Sequence, residues 1–366
     1  MDCRLKIEEL DRDRPVNILI VKLSAIGDVV HALPFLEVLK NGLPEARIDW
    51  LVEESASRII EGHPAIGRVI ISRRKSWQDQ MRKVRNLFPV IGEAARFLKD
   101  VRSREYDLII DLQGLLKSGI LVGLSKGKRK VGMSGSREGA SLFLNEWPIR
   151  VDYDQHAIDR YLKVAESLGC GPAKWDGHIP ISAPDRRLID QILVSNGMDK
   201  KPLVAINPIA RWRTKLWRPE RFAILADRII DEMGCEVVFT GSNLDEQIIG
   251  DITGVMKTGA LNLAGQTNLK ELAYFYSRCK LLITTDTGPM HMAASMGCPV
   301  VALFGPTAPW RTGPYGKGHK VIRADVECSP CLKKRCDRMK CMDDITVEKV
   351  FEGVRALITE RSDKWL

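Results

Sequence analysis

The stretch LLITTDTGPMHMAASMGCPVVALFGPT, residues 281–307, contains two apolar runs separated by a short segment with helical spacing. Runs of Leu, Ile and Val bounded by Gly and Pro predict buried strands. A strand, a helix and a second strand in this order are typical of a parallel sheet covered by helices. The first strand ends in the polar group Asp286, Thr287 and Gly288. The stretch therefore predicts an α/β fold with chemistry at the end of a strand.

The same alternation extends over the whole chain. It predicts two series of strands, at residues 17–23, 47–52, 68–72 and 106–112, and at residues 202–208, 235–241, 280–286 and 298–305. A segment rich in Gly and Pro separates the two series. We expect two doubly wound, Rossmann-like domains that face each other across a cleft. The predicted parts are an N-terminal domain (1–168), a linker (169–185), a C-terminal domain (186–345) and a C-terminal helix (346–366).

Composition restricts the class of protein. The chain has 366 residues and is 45% hydrophobic, enough to bury two cores of ordinary size. No apolar run approaches the roughly 18 residues that cross a bilayer, and the first 15 residues are charged where a signal peptide is apolar. We therefore expect a cytoplasmic protein. Nine cysteines, an odd number, do not indicate a disulfide framework.

The charge predicts an acidic partner. A net charge of +9 fits nucleic acid, anionic lipid or a phosphorylated substrate, and charge alone does not choose among them. The basic residues are concentrated in several short segments, at residues 72–77, 81–85, 126–130 and 210–215. This distribution indicates separate basic sites on a folded surface.

The strongest candidate site follows the strand at residues 280–286. The backbone N–H groups of a helix that begins at Gly288 can hold a diphosphate, and glycine lets the phosphates approach closely. His291, on the first turn, can reach a ribose, phosphate or leaving-group oxygen. The structural alternative is an ordinary strand-to-helix turn with Pro289 at a favoured position. The density of polar groups between two apolar segments favours a binding site.

Two loops of the C-terminal half carry further candidates. Arg211, Arg213 and Lys215 follow the strand at residues 202–208 and can hold a diphosphate from the side opposite the helix. A solvated basic loop is the alternative, although Trp212 and Trp217 argue for a functional loop. Beyond the next strand, Asp245 and Glu246 can bind ribose hydroxyls, while helix capping by Asn243 accounts equally well for the local polarity.

In the N-terminal half, Asp28 lies where the first strand gives way to a predicted helix at residues 28–40. A carboxylate at this position can act as a general base, or it can cap the helix and complement its dipole. His31, one helical turn later, either orients Asp28 or packs in the core.

Metal-binding patterns are weak. The triplet DRD (11–13) lies in the charged N-terminal arm, and the triplet DYD (152–154) follows no strand with a buried core. Basic side chains that bind the diphosphate can also replace a metal. Cys328, Cys331, Cys336 and Cys341 could form a structural zinc site, but their spacing fits no standard motif, and a structural or redox role is equally open.

Five separated motifs occur in order along the chain: KLSAIGDVVHALP, DLQGLLKSG, DQHAIDRYL, TDTGPMHMAA and LFGPT. Together they resemble the ADP-heptose:lipopolysaccharide heptosyltransferases, glycosyltransferases of the inner-core lipopolysaccharide pathway. The similarity runs from residue 17 to the C-terminal helix. It implies the GT-B fold of two Rossmann-like domains, inversion at the anomeric carbon, and no catalytic metal or other cofactor.

The resemblance also assigns roles. Asp28 matches the family's catalytic base, Lys215 the lysine that binds the donor phosphates, and Asp245 the acid that binds ribose. Four more residues match the nucleotide-binding motif: Asp286, Thr287, Gly288 and His291. Six match acceptor-binding positions: Arg73, Arg74, Lys75, Arg137, His156 and Arg160. Two features depart from heptosyltransferase I: no hydroxyl pair precedes Lys215, and the cysteine cluster resembles the tail of heptosyltransferase II.

The function implied is transfer of heptose from ADP-heptose to Kdo-lipid A by a monomer on the inner face of the cytoplasmic membrane, with no nucleic acid partner. Heptosyltransferase II activity and a nucleotide-sugar epimerase on the same fold are the alternatives, and a polyanion- or RNA-binding protein is a rival from another class. The segment at residues 80–104 has apolar helical spacing and a basic face, which indicates peripheral membrane contact. Pro89 bends or begins that helix.

Overall fold

The structure is a computed structural model that describes residues 14–83 and 88–362. The chain divides into two compact units, Met1–Pro180 and Ile181–Leu366. Each unit contains one parallel β-sheet covered by helices, which confirms the predicted α/β class.

The sheet of the first unit has five parallel strands in the order β3-β2-β1-β4-β5. These strands are β1 (Asn17–Val21), β2 (Arg47–Glu53), β3 (Arg68–Ser72), β4 (Glu105–Asp111) and β5 (Lys126–Gly132). The helices are α1 (Ile26–His31), α2 (Leu33–Gly42), α3 (Glu54–Ser57), α4 (Arg74–Lys83), α5 (Phe88–Val101), α6 (Leu116–Leu124) and α7 (Ala157–Ser167).

The sheet of the second unit has six parallel strands in the order β11-β10-β9-β6-β7-β8. These strands are β6 (Leu203–Asn207), β7 (Glu236–Phe239), β8 (Leu261–Asn262), β9 (Leu281–Thr285), β10 (Val300–Phe304) and β11 (Lys320–Arg323). The helices are α8 (Ala183–Ser195), α9 (Pro219–Met233), α10 (Glu246–Gly254), α11 (Leu269–Arg278), α12 (Gly288–Ser295), α13 (Pro309–Thr312), α14 (Lys340–Asp343) and α15 (Val347–Ser362).

Both sheets have the Rossmann strand order, in which the chain reverses direction across the sheet after its third strand. The switch point lies between β1 and β4 in the first unit and between β6 and β9 in the second. Ligands of such sheets bind at the carboxyl ends of the strands beside this point. The topology therefore brings together the loops that follow β1 and β4, and separately the loops that follow β6 and β9.

Apolar burial stabilises both units. The central strands β6, β9 and β10 are buried along their whole length, and large side chains such as Trp50, Phe239 and Phe304 are fully buried. Burying one large apolar side chain contributes about 1.5–3 kcal/mol. All eight predicted strands are confirmed, with ends that differ by at most two residues. The strands that the sequence did not predict, β5, β8 and β11, all lie at sheet edges.

The helix predicted at residues 28–40 is wrong in its extent. The structure has two helices, because the chain leaves helical hydrogen bonding at Ala32 and begins again at Leu33. Pro34 explains the break: proline lacks an N–H group and fits the first turn of a helix but not its interior. No helix in the described part of the chain is long and apolar enough to cross a membrane.

Candidate active site

Asp28 is the third residue of α1, in the segment that follows β1. Its Oδ2 accepts a hydrogen bond from the Ala25 N–H group at 3.0 Å. The carboxylate is half-buried and caps its own helix, which confirms the capping interpretation. Capping fixes one oxygen relative to the backbone, and the role of Asp28 as a base stays a prediction. His31 is buried, and its ring packs edge-on against the His156 ring at 5.1 Å.

Two side chains from the segment after β4 hold the loop that leads to Asp28: Gln113 lies in the loop and Lys117 in the first turn of α6. Gln113 Oε1 accepts hydrogen bonds from the backbone N–H groups of Leu23 and Ser24, at 3.2 and 3.0 Å. Lys117 Nζ donates to Ser24 Oγ at 2.6 Å. The two loops beside the switch point are thus bound together. Gln113 and Lys117 both lie in the motif DLQGLLKSG, but the sequence analysis did not predict either as a site residue. The one signal was their position after an apolar strand.

A buried charged layer lies under these loops. Asp111 accepts bonds from the N–H groups of Gln113 and Gly114 and from Ser118 Oγ, and burial raises the pKa of its carboxyl group. Lys22 is buried and donates to the Leu112 carbonyl at 3.1 Å.

The protonation of Lys22 follows from its neighbours. Burial lowers the Lys22 pKa, but Tyr161 and the carboxylates of Asp28 and Asp111 outweigh burial and leave the pKa raised. The ammonium also lies 5.1 Å from the centre of the Tyr161 ring. A fixed positive charge is therefore placed close to the Asp28 carboxylate.

A cluster of cations surrounds the buried carboxylate of Glu53 at the end of β2. Lys75, Lys117 and Arg74 lie 2.9, 3.0 and 3.2 Å from its oxygens. Burial raises the Glu53 pKa, but hydrogen bonds from Lys75 and Lys117 outweigh this effect and lower the pKa to about 2. Three cations share one carboxylate, so the cluster keeps an excess positive charge that can attract an anion. Arg73 pairs separately with Glu54 at 3.0 Å.

The other predicted acceptor residues lie in two places. Arg137 is exposed in the loop after β5, and its backbone N–H group donates to the Gly114 carbonyl at 2.9 Å. His156 is buried, and its Nδ1 accepts the Ile158 N–H group and caps α7. Arg160 Nη1 donates to two backbone carbonyls at 3.2 and 2.9 Å, and its guanidinium lies over the Tyr153 ring. His156 and Arg160 thus stabilise the segment that leads into α7.

In the second unit, Lys215 and Asp286 meet at the switch point. Lys215 lies in a short 3₁₀ helix after β6, and Asp286 directly follows β9. Lys215 Nζ donates to Asp286 Oδ2 at 2.6 Å and to the Asp286 carbonyl at 3.3 Å. Both side chains are largely buried. The structure therefore brings together two residues that the sequence analysis placed in one site.

The N-terminus of α12 completes this site. Thr287 is the N-cap residue and is extended, but in the described structure its side chain does not cap the helix. Gly288 and Pro289 begin the helix, and His291 is buried in the first turn. The first N–H groups of an α-helix have no partners within the helix, and they favour negative charge. Lys215 and these N–H groups form a suitable site for a diphosphate.

The loop that carries Lys215 is held by aromatic and hydroxyl groups. Two ammonium groups lie near the Trp212 ring, Lys215 at 4.6 Å and Lys334 at 5.1 Å from its centre. Thr214 Oγ1 donates to the Lys333 carbonyl at 2.8 Å. Arg211 and Arg213 are exposed.

Trp217 belongs to the core, not to the loop surface. It is 2% exposed, packs edge-on against Phe222, and donates from Nε1 to the Ile345 carbonyl. Trp217 therefore does not support a functional role for the loop, and the sequence argument from this residue was wrong.

Asp245 lies after β7, as expected for a ribose-binding acid. Its Oδ2 accepts bonds from Ser242 N and Ser242 Oγ, at 2.8 and 2.6 Å. The alternative prediction that Asn243 caps the helix is therefore wrong, because Ser242 and Asp245 form the capping box. Glu246 is exposed at the start of α10.

The metal-binding candidates are placed as follows. All four clustered cysteines are free thiols; Cys341 is buried, whereas Cys328 and Cys336 are exposed. Within residues 14–83 and 88–362, no three His, Cys, Asp or Glu side chains are grouped to hold a metal ion. The zinc site stays a prediction. In the DYD triplet, Asp152 Oδ1 accepts the Asp154 N–H group and forms a turn. The DRD triplet lies outside the described residues.

Comparison with known proteins places this geometry in a family. Residues 94–342 match the model of glycosyltransferase family 9 (heptosyltransferase). The chain belongs to glycosyltransferase family 9. It is therefore a glycosyltransferase of the heptosyltransferase type, and its two Rossmann-like units are those of a GT-B enzyme.

Similar proteins cover almost the whole chain. Lipopolysaccharide heptosyltransferase 1 of Pseudomonas aeruginosa is 30% identical over 92% of this chain and 91% of its own length. Lipopolysaccharide heptosyltransferase 2 of Salmonella typhimurium is 26% identical over 94% of this chain and 99% of its own length.

Solved structures agree with this assignment. The family 9 glycosyltransferase of Veillonella parvula has a TM-score of 0.81 and 28% identity, and the match covers 94% of this chain and 98% of that one. The Escherichia coli heptosyltransferase WaaC with ADP has a TM-score of 0.75 and 27% identity, and the match covers 93% of this chain and all of that one.

Proposed function

We propose that this enzyme transfers L-glycero-D-manno-heptose from ADP-heptose to the Kdo-lipid A inner core of lipopolysaccharide, with inversion at the anomeric carbon. The observation that carries the proposal is the Lys215–Asp286 pair at the N-terminus of α12, within a chain of family 9. A similar enzyme has been solved with ADP, and another complex of it contains ADP-2-deoxy-2-fluoro heptose.

The second unit holds the donor in this proposal. The N–H groups of Thr287 and Gly288 and the Lys215 ammonium bind the diphosphate, and Asp245 binds ribose hydroxyls. His291 lines the same turn. When the bond between the anomeric carbon and the diphosphate breaks, its electron pair goes to the departing phosphate oxygen. Lys215 stabilises this added charge, so the proposed chemistry needs no metal ion.

The first unit holds the acceptor. The excess positive charge around Glu53, supplied by Arg74, Lys75 and Lys117, suits the phosphates and carboxylates of Kdo-lipid A. We assign Arg73 and Arg137 to the same acceptor surface, with His156 and Arg160 supporting it. Asp28 takes the proton of the acceptor hydroxyl group as that oxygen forms its bond to the anomeric carbon.

The order of heptose addition has two candidates. We propose the heptosyltransferase I reaction; the heptosyltransferase II reaction, on heptosyl-Kdo2-lipid A, is the alternative, because relatives of both types cover the chain. Incubating the purified protein with ADP-heptose and each acceptor separates them. We expect ADP release and a mass gain of one heptose with Kdo2-lipid A, whereas a product formed only from the heptosylated acceptor contradicts the assignment.

An epimerase is a weaker candidate. The epimerase candidate rests on fold alone, since the similar structure of a UDP-N-acetylglucosamine 2-epimerase from Listeria monocytogenes has a TM-score of 0.51 and 12% identity. Donor incubated without acceptor should stay unchanged; a new sugar nucleotide would favour the epimerase.

We also propose a monomer that works at the inner face of the cytoplasmic membrane, where its lipid acceptor lies. The proposed domain limits are 1–168, a linker at 169–185, 186–345 and a C-terminal helix at 346–366. The observed helix α15 falls within the last of these ranges.

A further inference from the structure

Among residues 14–83 and 88–180, the exposed large apolar side chains are confined to one part of the sequence. The large apolar residues that the structure shows as exposed there all fall between residues 81 and 147: Met81, Phe88, Ile91, Leu98, Leu116, Ile120, Leu142 and Trp147. Single exposed apolar residues are ordinary, but a group confined to neighbouring elements marks an interaction surface. Helices α5 and α6 pack against one another, so their exposed side chains belong to one region.

Helix α5 presents two separate apolar stripes. Val90, Phe97 and Val101 are buried, and Phe97 packs edge-on against Trp77. Phe88, Ile91 and Leu98 recur at helical spacing and are 83%, 60% and 38% exposed. The buried stripe already provides the packing that the helix needs. The exposed stripe is therefore additional apolar surface, available to a partner.

The same part of the chain is strongly basic. Residues 81–147 contain 13 Lys and Arg against 7 Asp and Glu, a net charge of +6 out of +9 for the whole chain. On α5, Arg96 and Lys99 are exposed beside the apolar stripe. Apolar side chains flanked by cations are the pattern of a helix that lies in the interface of an anionic bilayer.

We infer that this face of the first unit, which we call the α5–α6 face and define by Phe88, Ile91, Leu98, Leu116 and Ile120, docks on an anionic phospholipid surface. The inference deepens the proposed function, because it names the surface through which the enzyme reaches a lipid-anchored acceptor. Helix α6 links the two: Lys117 binds Glu53 in the acceptor cluster, and Leu116 and Ile120 on the same helix are exposed.

Vesicle sedimentation tests the inference. The probes are vesicles of phosphatidylethanolamine with phosphatidylglycerol, and vesicles of phosphatidylcholine alone. We expect binding to the anionic vesicles that weakens as salt rises. The double variant Phe88→Ser/Ile91→Ser should bind at least about tenfold more weakly, because it removes two inserting side chains. Val194→Ser/Val255→Ser is the matched control, since these residues of the second unit are 61% and 66% exposed.

Several outcomes would overturn the inference. One is equal binding of wild type and Phe88→Ser/Ile91→Ser to the anionic vesicles, and another is an equal loss in the control variant. If wild type ignores the vesicles but sediments as a dimer that this variant converts to a monomer, a second copy covers the face instead. Unfolding curves of both variants establish that they are folded.

A second readout separates this inference from the proposed function. Phe88→Ser/Ile91→Ser should transfer heptose normally to a soluble acceptor without acyl chains, and slowly to acceptor embedded in vesicles. Equal rates on the embedded acceptor contradict the docking surface. Absence of transfer by wild type to either acceptor contradicts the proposed function, and leaves the vesicle binding as an independent result.

Discussion

Removing Lys215 should damage both donor binding and catalysis. Its ammonium lies 2.6 Å from the Asp286 carboxylate, with both side chains largely buried. In Lys215→Ala the diphosphate loses a charge-assisted hydrogen bond, worth about 1.5–3 kcal/mol, or roughly 10- to 150-fold in the dissociation constant for ADP. The diphosphate is also repelled by the Asp286 carboxylate, because Lys215 no longer neutralises its charge. Loss of one donor that stabilises the leaving group costs about 2.7–4 kcal/mol in the transition state, so kcat/KM should fall roughly 10²- to 10³-fold.

The double variant Lys215→Ala/Asp286→Asn sharpens this prediction. It removes the repulsion that the single variant creates, so ADP should bind more tightly to the double variant than to Lys215→Ala. Calorimetric titration with ADP and initial rates of ADP release measure the two effects. Arg218→Ala is the matched control, because Arg218 is also paired, with Asp343 at 2.8 Å, but lies outside the site. Activity of Lys215→Ala within about threefold of wild type would refute the proposal that Lys215 binds and stabilises the diphosphate.

Three further predictions concern the first unit and the chemistry. The folded-state pKa of Glu53 is about 2, below its ordinary value of 4.5. Its stabilising effect is therefore present above pH 4.5 and is lost as pH falls from 4.5 towards 2. Glu53→Gln should flatten that part of the curve of unfolding free energy against pH, and an unchanged curve would contradict the ion-pair cluster around Glu53. Gln113→Ala leaves the N–H groups of Leu23 and Ser24 without their acceptor, so it should lower the free energy of unfolding by about 1–3 kcal/mol and slow heptose transfer. Gln113→Glu keeps an acceptor oxygen and should restore both the stability and the rate. If it does not, Gln113 does not act by positioning the loop that leads to Asp28. Transfer should continue at an unchanged rate in excess EDTA, whereas a loss restored by added divalent metal would contradict the proposed role of Lys215.

The sequence predicted those parts of the fold that rest on long apolar runs. Central strands such as β6 and β9 are buried on both faces and read as continuous apolar segments. The edge strand β5 has the sequence KGKRKVG and is half exposed, so its residues resemble a basic surface segment. Its strand conformation depends on pairing with β4, a contact that local sequence does not encode.

The residues of the candidate site also differ in how well local sequence predicts them. Asp28, Lys215 and Asp286 were predicted because they lie in segments that follow strands and because the resemblance to the heptosyltransferases assigns them roles. Their partners were harder to predict: Lys215 meets Asp286 across 71 residues, and Gln113 meets Leu23 across 90. These contacts depend on which strands are neighbours at the switch point. The sequence did not predict Glu53 as a site residue for a related reason. Its carboxylate belongs to the site only because the fold places three cations around it.

Heptose transfer by Asp28→Asn tests whether Asp28 is the catalytic base. Asparagine keeps an oxygen that can accept the Ala25 N–H group, so the helix cap and the fold should persist while the base is lost. Asp185→Asn is the matched control, because Asp185 Oδ2 accepts the Ser182 N–H group at 2.9 Å in an equivalent cap on α8. We predict that Asp28→Asn binds ADP as wild type does and transfers heptose roughly 10²- to 10⁴-fold more slowly. Transfer by Asp28→Asn at the rate of the Asp185→Asn control would contradict the assignment of Asp28 as the catalytic base.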